Sequence, residues 1–209
     1  MLLDFLFPKS EEVYSLEELS AAELVRELEP ARETRENVVA IFNYADPRVR
    51  QSIWELKYRK NAKIAATFAG IVLDVLRTEL AERALFDNFV SPLLIPIPQS
   101  HKRHLERGWN QTEVLAEEVL KLVSEPLFDY APRALTKAHH TESQARTKNK
   151  KLRLQNIENS MSVVDGSKIK NRNIILLDDV TTTGATFAEA RRALREAGAK
   201  KILAIAIAH

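Results

Sequence analysis

Four consecutive apolar residues, Ile174, Ile175, Leu176 and Leu177, run directly into Asp178 and Asp179. Val180 and the small-residue stretch Thr181, Thr182, Thr183, Gly184, Ala185 and Thr186 follow. A β-branched and aliphatic run of strand length, without polar alternation, suits a parallel strand covered on both faces, and so commits the chain to an α/β sheet. Open α/β sheets bind ligands at the carboxyl ends of their strands. There, Asp178 and Asp179 are read as two acceptor-only carboxylates lying side by side, suited to a vicinal pair of ribose hydroxyls. The Thr/Gly loop leads into an amphipathic stretch, residues 187–197. A helix amino terminus of small residues presents free N–H groups and partial positive charge to a phosphate. The hydroxyls of Thr182, Thr183 and Thr186 add donors, so diol acceptors and a phosphate cradle lie one loop apart. Acids at a strand end followed by threonines also serve phosphatase-like and response-regulator-like folds, which keeps that alternative in view.

The rest of the chain supplies the frame. Ser15 followed by Glu18 has the spacing of a capping box, and residues 16–28 are expected to form a peripheral helix stopped by Pro30. Residues 38–44 have strand character. Asp46 and Pro47 open a helix with Val49, Ile53, Leu56 and Trp54 as its apolar stripe. Residues 57–63 form a basic connection, after which Asn61 caps a helix running to Ala81. Residues 93–98 are expected to form a buried strand ended by Pro96 and Pro98, followed by a loop over residues 99–108. Residues 110–123 return to helical periodicity, residues 134–138 suit a short strand, and residues 137–156 are polar and basic. Gly198 stops the helix that follows the Asp-Asp motif, and residues 202–208 form the last strand. These strand-loop-helix units predict a doubly wound, mostly parallel α/β sheet with right-handed crossovers. The expected division is a helical amino-terminal segment, 1–36, and one domain, 37–209, in which 37–90 flanks a ligand-binding core, 91–209.

With 209 residues, 45% of them hydrophobic, the chain can build one α/β domain with a small appendage. Lys and Arg number 31 against 29 Asp and Glu, so the net charge of +2 does not by itself mark a nucleic-acid protein. Cysteine is absent, which excludes disulfides, thiol catalysis and cysteine-ligated zinc. Residues 1–8 are too short, and too acidic at Asp4, for a signal peptide, and no run approaches a membrane span. A cytoplasmic protein is expected.

Two further motifs carry a family resemblance. Pro96, Ile97, Pro98, Gln99 and Ser100 precede a basic stretch ending in Arg107, Gly108, Trp109, Asn110 and Gln111. Together with the Asp-Asp-Thr/Gly motif these resemble the ComF-like members of the type I phosphoribosyltransferases, associated with bacterial competence for DNA uptake. Thr141 with Gln144, then Arg153 with Asn156, resemble the pattern upstream of that family's signature strand, and Tyr44 with Leu56, Lys57 and Tyr58 gives a partial match. Residues 2–8 look like the start of longer members, but Lys9 and Ser10 stand where paired zinc-ribbon cysteines follow, so no structural zinc is expected. Met161 replaces a usual aromatic, a packing change. The chain ends at His209 directly after its last strand, so any acceptor pocket is expected from the first 90 residues.

The resemblance implies 5-phosphoribosyl 1-diphosphate (PRPP) as ligand, with Mg²⁺ carried by PRPP and not ligated directly by the protein. It places the 5-phosphate on Thr181, Thr182, Thr183, Gly184, Ala185 and Thr186, and the ribose hydroxyls on Asp178 and Asp179. Diphosphate would lie against Pro98, Gln99, Ser100, Arg107 and Asn110, with Arg107 also catalytic. A hood loop carrying Gln144, Lys148, Arg153 and Asn156 would close over it. Arg107 and Asn110 also suit salt-bridge and helix-capping roles, and each lysine singly suits a solvated face. His101 and His104, without a third ligand, are read as solvent-facing or phosphate-adjacent. The implied reaction transfers phosphoribosyl from PRPP to an unknown acceptor with release of diphosphate. The alternative is a non-catalytic PRPP-binding module that handles single-stranded DNA through Lys102, Arg103 and the basic run from Lys148, with Trp109 beside it. The oligomeric state is left open, a homodimer included.

Overall fold

The computed structural model describes residues 9–32, 37–137 and 160–209. Two short helices, α1 (Glu11–Glu18) and α2 (Ala21–Glu27), precede β1 (Val38–Phe42), α3 (Pro47–Arg59) and the long α4 (Ala62–Asp87). Then come β2 (Leu93–Pro96), α5 (His101–Arg107), α6 (Gln111–Leu122), β3 (Asp129–Tyr130), β4 (Leu135–Lys137) and β5 (Met161–Val163). β6 (Ile174–Val180), α7 (Ala185–Glu196) and β7 (Ile202–Ala208) complete the chain. Five strands form one parallel sheet in the order β1-β7-β6-β2-β3, while β4 and β5 pair antiparallel beside it. The expected mostly parallel α/β sheet is present, and β1 makes residues 37–90 an integral edge of it. No described helix is long and apolar enough to cross a membrane.

Alternation along the strands divides the core into two layers. Leu94, Ile175, Leu177, Leu203 and Ile205 face α3, α4 and α6. Ile95, Ile174, Leu176, Ala204 and Ala206 face α7 and the β4–β5 pair. The small Ala204 and Ala206 meet Ala190 and Ala193 of α7 on that side, so the helix lies close to the sheet. β2 leads outward to β3 and β6 leads the other way to β7, which makes the β2–β6 boundary the topological switch point.

Several sequence expectations are corrected. The capping box is at Ser20 and Glu23, not Ser15 and Glu18: Glu23 N–H donates to Ser20 Oγ, and Glu23 Oε2 accepts the Ser20 N–H at 2.8 Å. That cap splits the expected single helix in two, and Leu16, Leu24 and Leu28 enter the main core instead of lying at the periphery. Trp54 is 39% exposed and lies off the apolar stripe of Val49, Ile53 and Leu56. The expected basic connection is mostly helix, with the break confined to the left-handed Lys60 and the Asn61 cap. α4 continues past Ala81 to Asp87. The expected loop at residues 99–108 is largely α5, because Ser100 caps it and no breaker intervenes before Gly108, which ends it at φ 80.

Leu176 is fully buried and Leu85 is 80% exposed. Leu176→Ala is expected to lower unfolding free energy in urea by about 2–5 kcal/mol. Leu85→Ala should stay within about 0.5 kcal/mol of the parent. Equal losses would contradict this placement of the core.

Candidate active site

β6 outruns β2. Their pairing ends at Pro96 with Leu177, closed by Ile97 N–H donating to the Leu177 carbonyl at 2.8 Å, whereas β6 stays paired with β7 as far as Val180 with Ala208. The strand therefore ends at Val180, and both acids lie inside it. Consecutive strand residues point to opposite faces, so Asp178 and Asp179 are not side by side as the sequence suggested. Asp178 continues the Ile174 and Leu176 row toward α7, and Asp179 continues the Ile175 and Leu177 row toward α3. Both are buried, at 8% and 5% exposure.

Each face answers its carboxylate differently. Lys57 of α3 brings Nζ to 3.0 Å from Asp179 Oδ2, an ion pair by distance, although that oxygen has no aligned hydrogen-bond donor among the described residues. Asp178 Oδ1 accepts the Asp179 N–H at 2.8 Å. Burial, then the neighbouring Asp179 charge, push the Asp178 carboxyl well above the ordinary carboxylate range; Lys57 and Lys137 oppose the shift. Lys137, at the end of β4, has its ammonium pKa lowered by burial and by Arg103, while Asp178 and Glu189 act the other way. Sequence reasoning missed the parts of Lys57 and Lys137. The Leu56-Lys57-Tyr58 match pointed at the first without a role; no residue pattern marked the second.

Beyond β6, Thr181 is buried and its N–H donates to Ala208, while Thr182 and Thr183 are exposed. Gly184 turns the chain at φ 74, a conformation that costs a residue with a Cβ roughly 1–2 kcal/mol, and Ala185 and Thr186 open α7. Gly184 has no side chain to cap this amino terminus, and the Ala185 N–H donates to Thr183 Oγ1 at 3.4 Å. Across the switch point, Pro98, Gln99 and Ser100 connect β2 to α5. Gln99 Nε2 donates to the Trp109 carbonyl at 2.6 Å, and its buried Oε1 has no partner among the described residues. Asn110 caps α6 and donates to the Ile97 carbonyl and Glu113, both at 3.1 Å. Those bonds use both amide hydrogens, the helix-capping role weighed from sequence.

Arg107 lies 4.8 Å from the Tyr58 ring centroid and donates to Tyr58 Oη at 3.3 Å and Gln111 Oε1 at 3.2 Å, leaving its buried Nε without a hydrogen-bond partner among the described residues. His101 and His104 are exposed, with His104 Nδ1 3.0 Å from Gln99 Nε2. The structure thus brings Asp178, Asp179, the Thr181–Thr186 loop and residues 98–100 to one sheet edge with Arg107 beside it. Gln144, Lys148, Arg153 and Asn156 lie outside the described residues, as do residues 2–8. No group of three or more His, Cys, Asp or Glu able to hold a metal occurs among the described residues.

A carboxyl whose folded pKa is raised favours folding most when protonated. The Asp178 contribution is therefore fully present below its unfolded pKa near 3.8 and is lost as pH rises through the raised folded value. Asp178→Asn, which keeps the acceptor for the Asp179 N–H, is expected to be more stable than the parent at pH 8 by ~1 kcal/mol or more. The gap should close toward pH 4. Urea unfolding at the two pH values tests this, and a variant less stable at pH 8 would contradict it.

No protein-family model matches the chain. It is 28% identical over 168 residues to competence protein F of Haemophilus influenzae, covering 80% of this chain and 70% of that protein. It is 27% identical over 169 residues to the DNA utilization protein YhgH of Escherichia coli K12, covering 80% of this chain and 69% of that one. Among solved structures it is similar to a glutamine PRPP amidotransferase from B. subtilis, at 17% identity and a TM-score of 0.41, over 75% of this chain and 30% of that one. It is also similar to a hypoxanthine phosphoribosyltransferase from Staphylococcus aureus, at 13% identity and a TM-score of 0.37, over 65% of this chain and 61% of that one. Structural likeness of that degree carries no weight for the site, whereas the sequence matches extend over four fifths of the chain. The chain is a homologue of the ComF/YhgH family.

Proposed function

We propose that the protein binds PRPP at the carboxyl edge of β6 and transfers its phosphoribosyl group to an acceptor with release of diphosphate. The observation that carries this is the run of two buried acids into an amino terminus of α7 built from Gly184, Ala185 and Thr186, at the switch point of a parallel sheet. Thr182, Thr183, Gly184, Ala185 and Thr186 take the 5-phosphate through backbone N–H groups and hydroxyls. Asp178 and Asp179 accept ribose hydroxyls from the two faces of one strand. Pro98, Gln99 and Ser100 with Arg107 face the diphosphate. Mg²⁺, carried by PRPP, supplies charge neutralisation of the leaving group when bound.

The protein's own contribution is electrostatic. As the C1–O bond breaks, positive charge develops on the sugar ring beside the Asp179 carboxylate, and negative charge on diphosphate beside Arg107. No side-chain nucleophile is required. Burial of both acids in β6 before PRPP arrives avoids reorganisation during the reaction.

A second reading has its own support. The relatives named for competence and DNA utilization favour a module that binds PRPP while handling single-stranded DNA, with Lys102, Arg103 and residues 148–153 as the cationic track. Turnover separates the two: an enzyme consumes PRPP with some acceptor, a module does not.

Replacing Asp178 and Asp179 together by Asn is expected to weaken PRPP binding by calorimetry at least about tenfold, as charge-assisted hydrogen bonds are lost. Unchanged affinity would remove the site. Arg107→Ala should weaken PRPP more than ribose 5-phosphate, since only PRPP carries diphosphate, and Lys at this position should restore part of the loss. Equal losses for both ligands would make Arg107 a structural residue.

A further inference from the structure

A cavity of about 460 Å³ lies on the Asp179 side of the sheet edge between α3 and α5. Its volume falls in the range of small-molecule pockets, roughly 300–1,000 Å³. Four cations line it, Arg50, Lys57, Arg103 and Arg107, and no acid does. Lys57 is paired with Asp179, and Arg107 is held by Tyr58 and Gln111. Among the described residues Arg50 and Arg103 have no ion-pair partner, so the cavity keeps uncompensated positive charge.

Its wall is also aromatic. Arg50, Trp54 and Tyr58 recur at four-residue spacing along one side of α3. Trp54 and Tyr58, 39% and 42% exposed, pack with centroids 5.3 Å apart, and both face the cavity beside Pro47 and Ile53. A diphosphate has no use for such a wall. A flat ring does, and a ring bearing a carboxylate also answers the arginines.

We propose that this cavity is the acceptor subsite and that its ligand is an aromatic ring carrying a carboxylate. This rests on the phosphoribosyl-transfer reading above. α7 packs on the opposite face of the sheet, so a phosphoribosyl group anchored by its 5-phosphate there reaches the cavity across the β6 edge. The acceptor's ring-nitrogen lone pair forms the bond to C1 while the C1–O electron pair leaves on diphosphate. Any proton on that nitrogen departs with diphosphate. Arg50, at the first turn of α3, holds the carboxylate at the end of the cavity formed by that helix start.

The test uses the full chain and matched acid and neutral probes, nicotinate against nicotinamide and orotate against uracil, titrated calorimetrically with and without PRPP and Mg²⁺. At least one acid is expected to bind roughly tenfold tighter than its neutral partner, with Arg50→Ala abolishing the difference, Arg50→Lys retaining part of it, and PRPP affinity unchanged in both variants. Acid and neutral probes binding alike, or no acid binding at millimolar concentration, overturns the proposal. So does displacement of the acid by free diphosphate, or an Arg50→Ala loss of PRPP affinity equal to the loss of acid affinity, since either makes the cavity the leaving-group site. Failure of PRPP to bind at all overturns the transfer reading, and with it the acceptor role. Arg50-dependent acid binding in that case still identifies a site for carboxylated rings.

Discussion

The site depends on one mismatch of strand length. β2 stops pairing at Pro96, whereas β6 continues beside β7 through Val180, so Asp178 and Asp179 occupy a stretch of strand paired on only one side. A proline has no N–H to donate, and a second at Pro98 keeps β2 from following its neighbour further. The backbone at both acids is thereby fixed by the β7 ladder and leaves open the side toward β2. Two carboxylates held this way are costly to bury. Lys57 answers Asp179, while Asp178 is left with a backbone N–H and a raised pKa.

Around that edge, buried polar groups secure the loops instead of the core. The Ile97 carbonyl accepts from both Asn110 Nδ2 at 3.1 Å and Thr112 Oγ1 at 2.8 Å, which ties the start of α6 to the end of β2. Gln99 spans to the Trp109 carbonyl, and Trp109 Nε1 donates to the Leu56 carbonyl at 3.1 Å. The connection between β2 and α6 is therefore fastened to α3, the helix that carries Lys57. A displacement of α3 is transmitted both to the Asp179 ion pair and to the segment that presents Arg107.

The long apolar periods were legible because they are decided by burial alone. Residues 174–177, 202–208 and the Val49, Ile53 and Leu56 stripe announced themselves, and helix starts at Pro47, Asn61 and Asn110 followed from local capping chemistry. What failed depends on partners distant in sequence. Continuation of β6 through two acids is set by β7, and a run ending in Asp-Asp looks like a strand terminus when β7 is unknown. The same holds for Trp54, whose exposure follows from α3 presenting it to a cavity instead of the sheet, and for Lys137, brought near Asp178 by the β4–β5 pair. Ser15 and Ser20 both offer capping-box spacing, and only the buried positions of Leu16 and Leu24 select the second.

Arg107 shows how the two sides of the site are made dependent on each other. A guanidinium on a short helix end loses considerable side-chain entropy when it must meet an anion in one orientation. Here it stacks on Tyr58, Tyr58 packs on Trp54, and the Arg59 guanidinium lies 5.5 Å from the Trp54 ring. Each cation–aromatic contact is worth about 0.5–1 kcal/mol or more, enough to bias a rotamer without locking it. The ladder is built almost wholly from α3, so the helix that supplies the counter-ion to Asp179 also orients Arg107. The charges at Asp179 and at Arg107 are thus positioned by one rigid element. A ligand that moved only one end of α3 would disturb both.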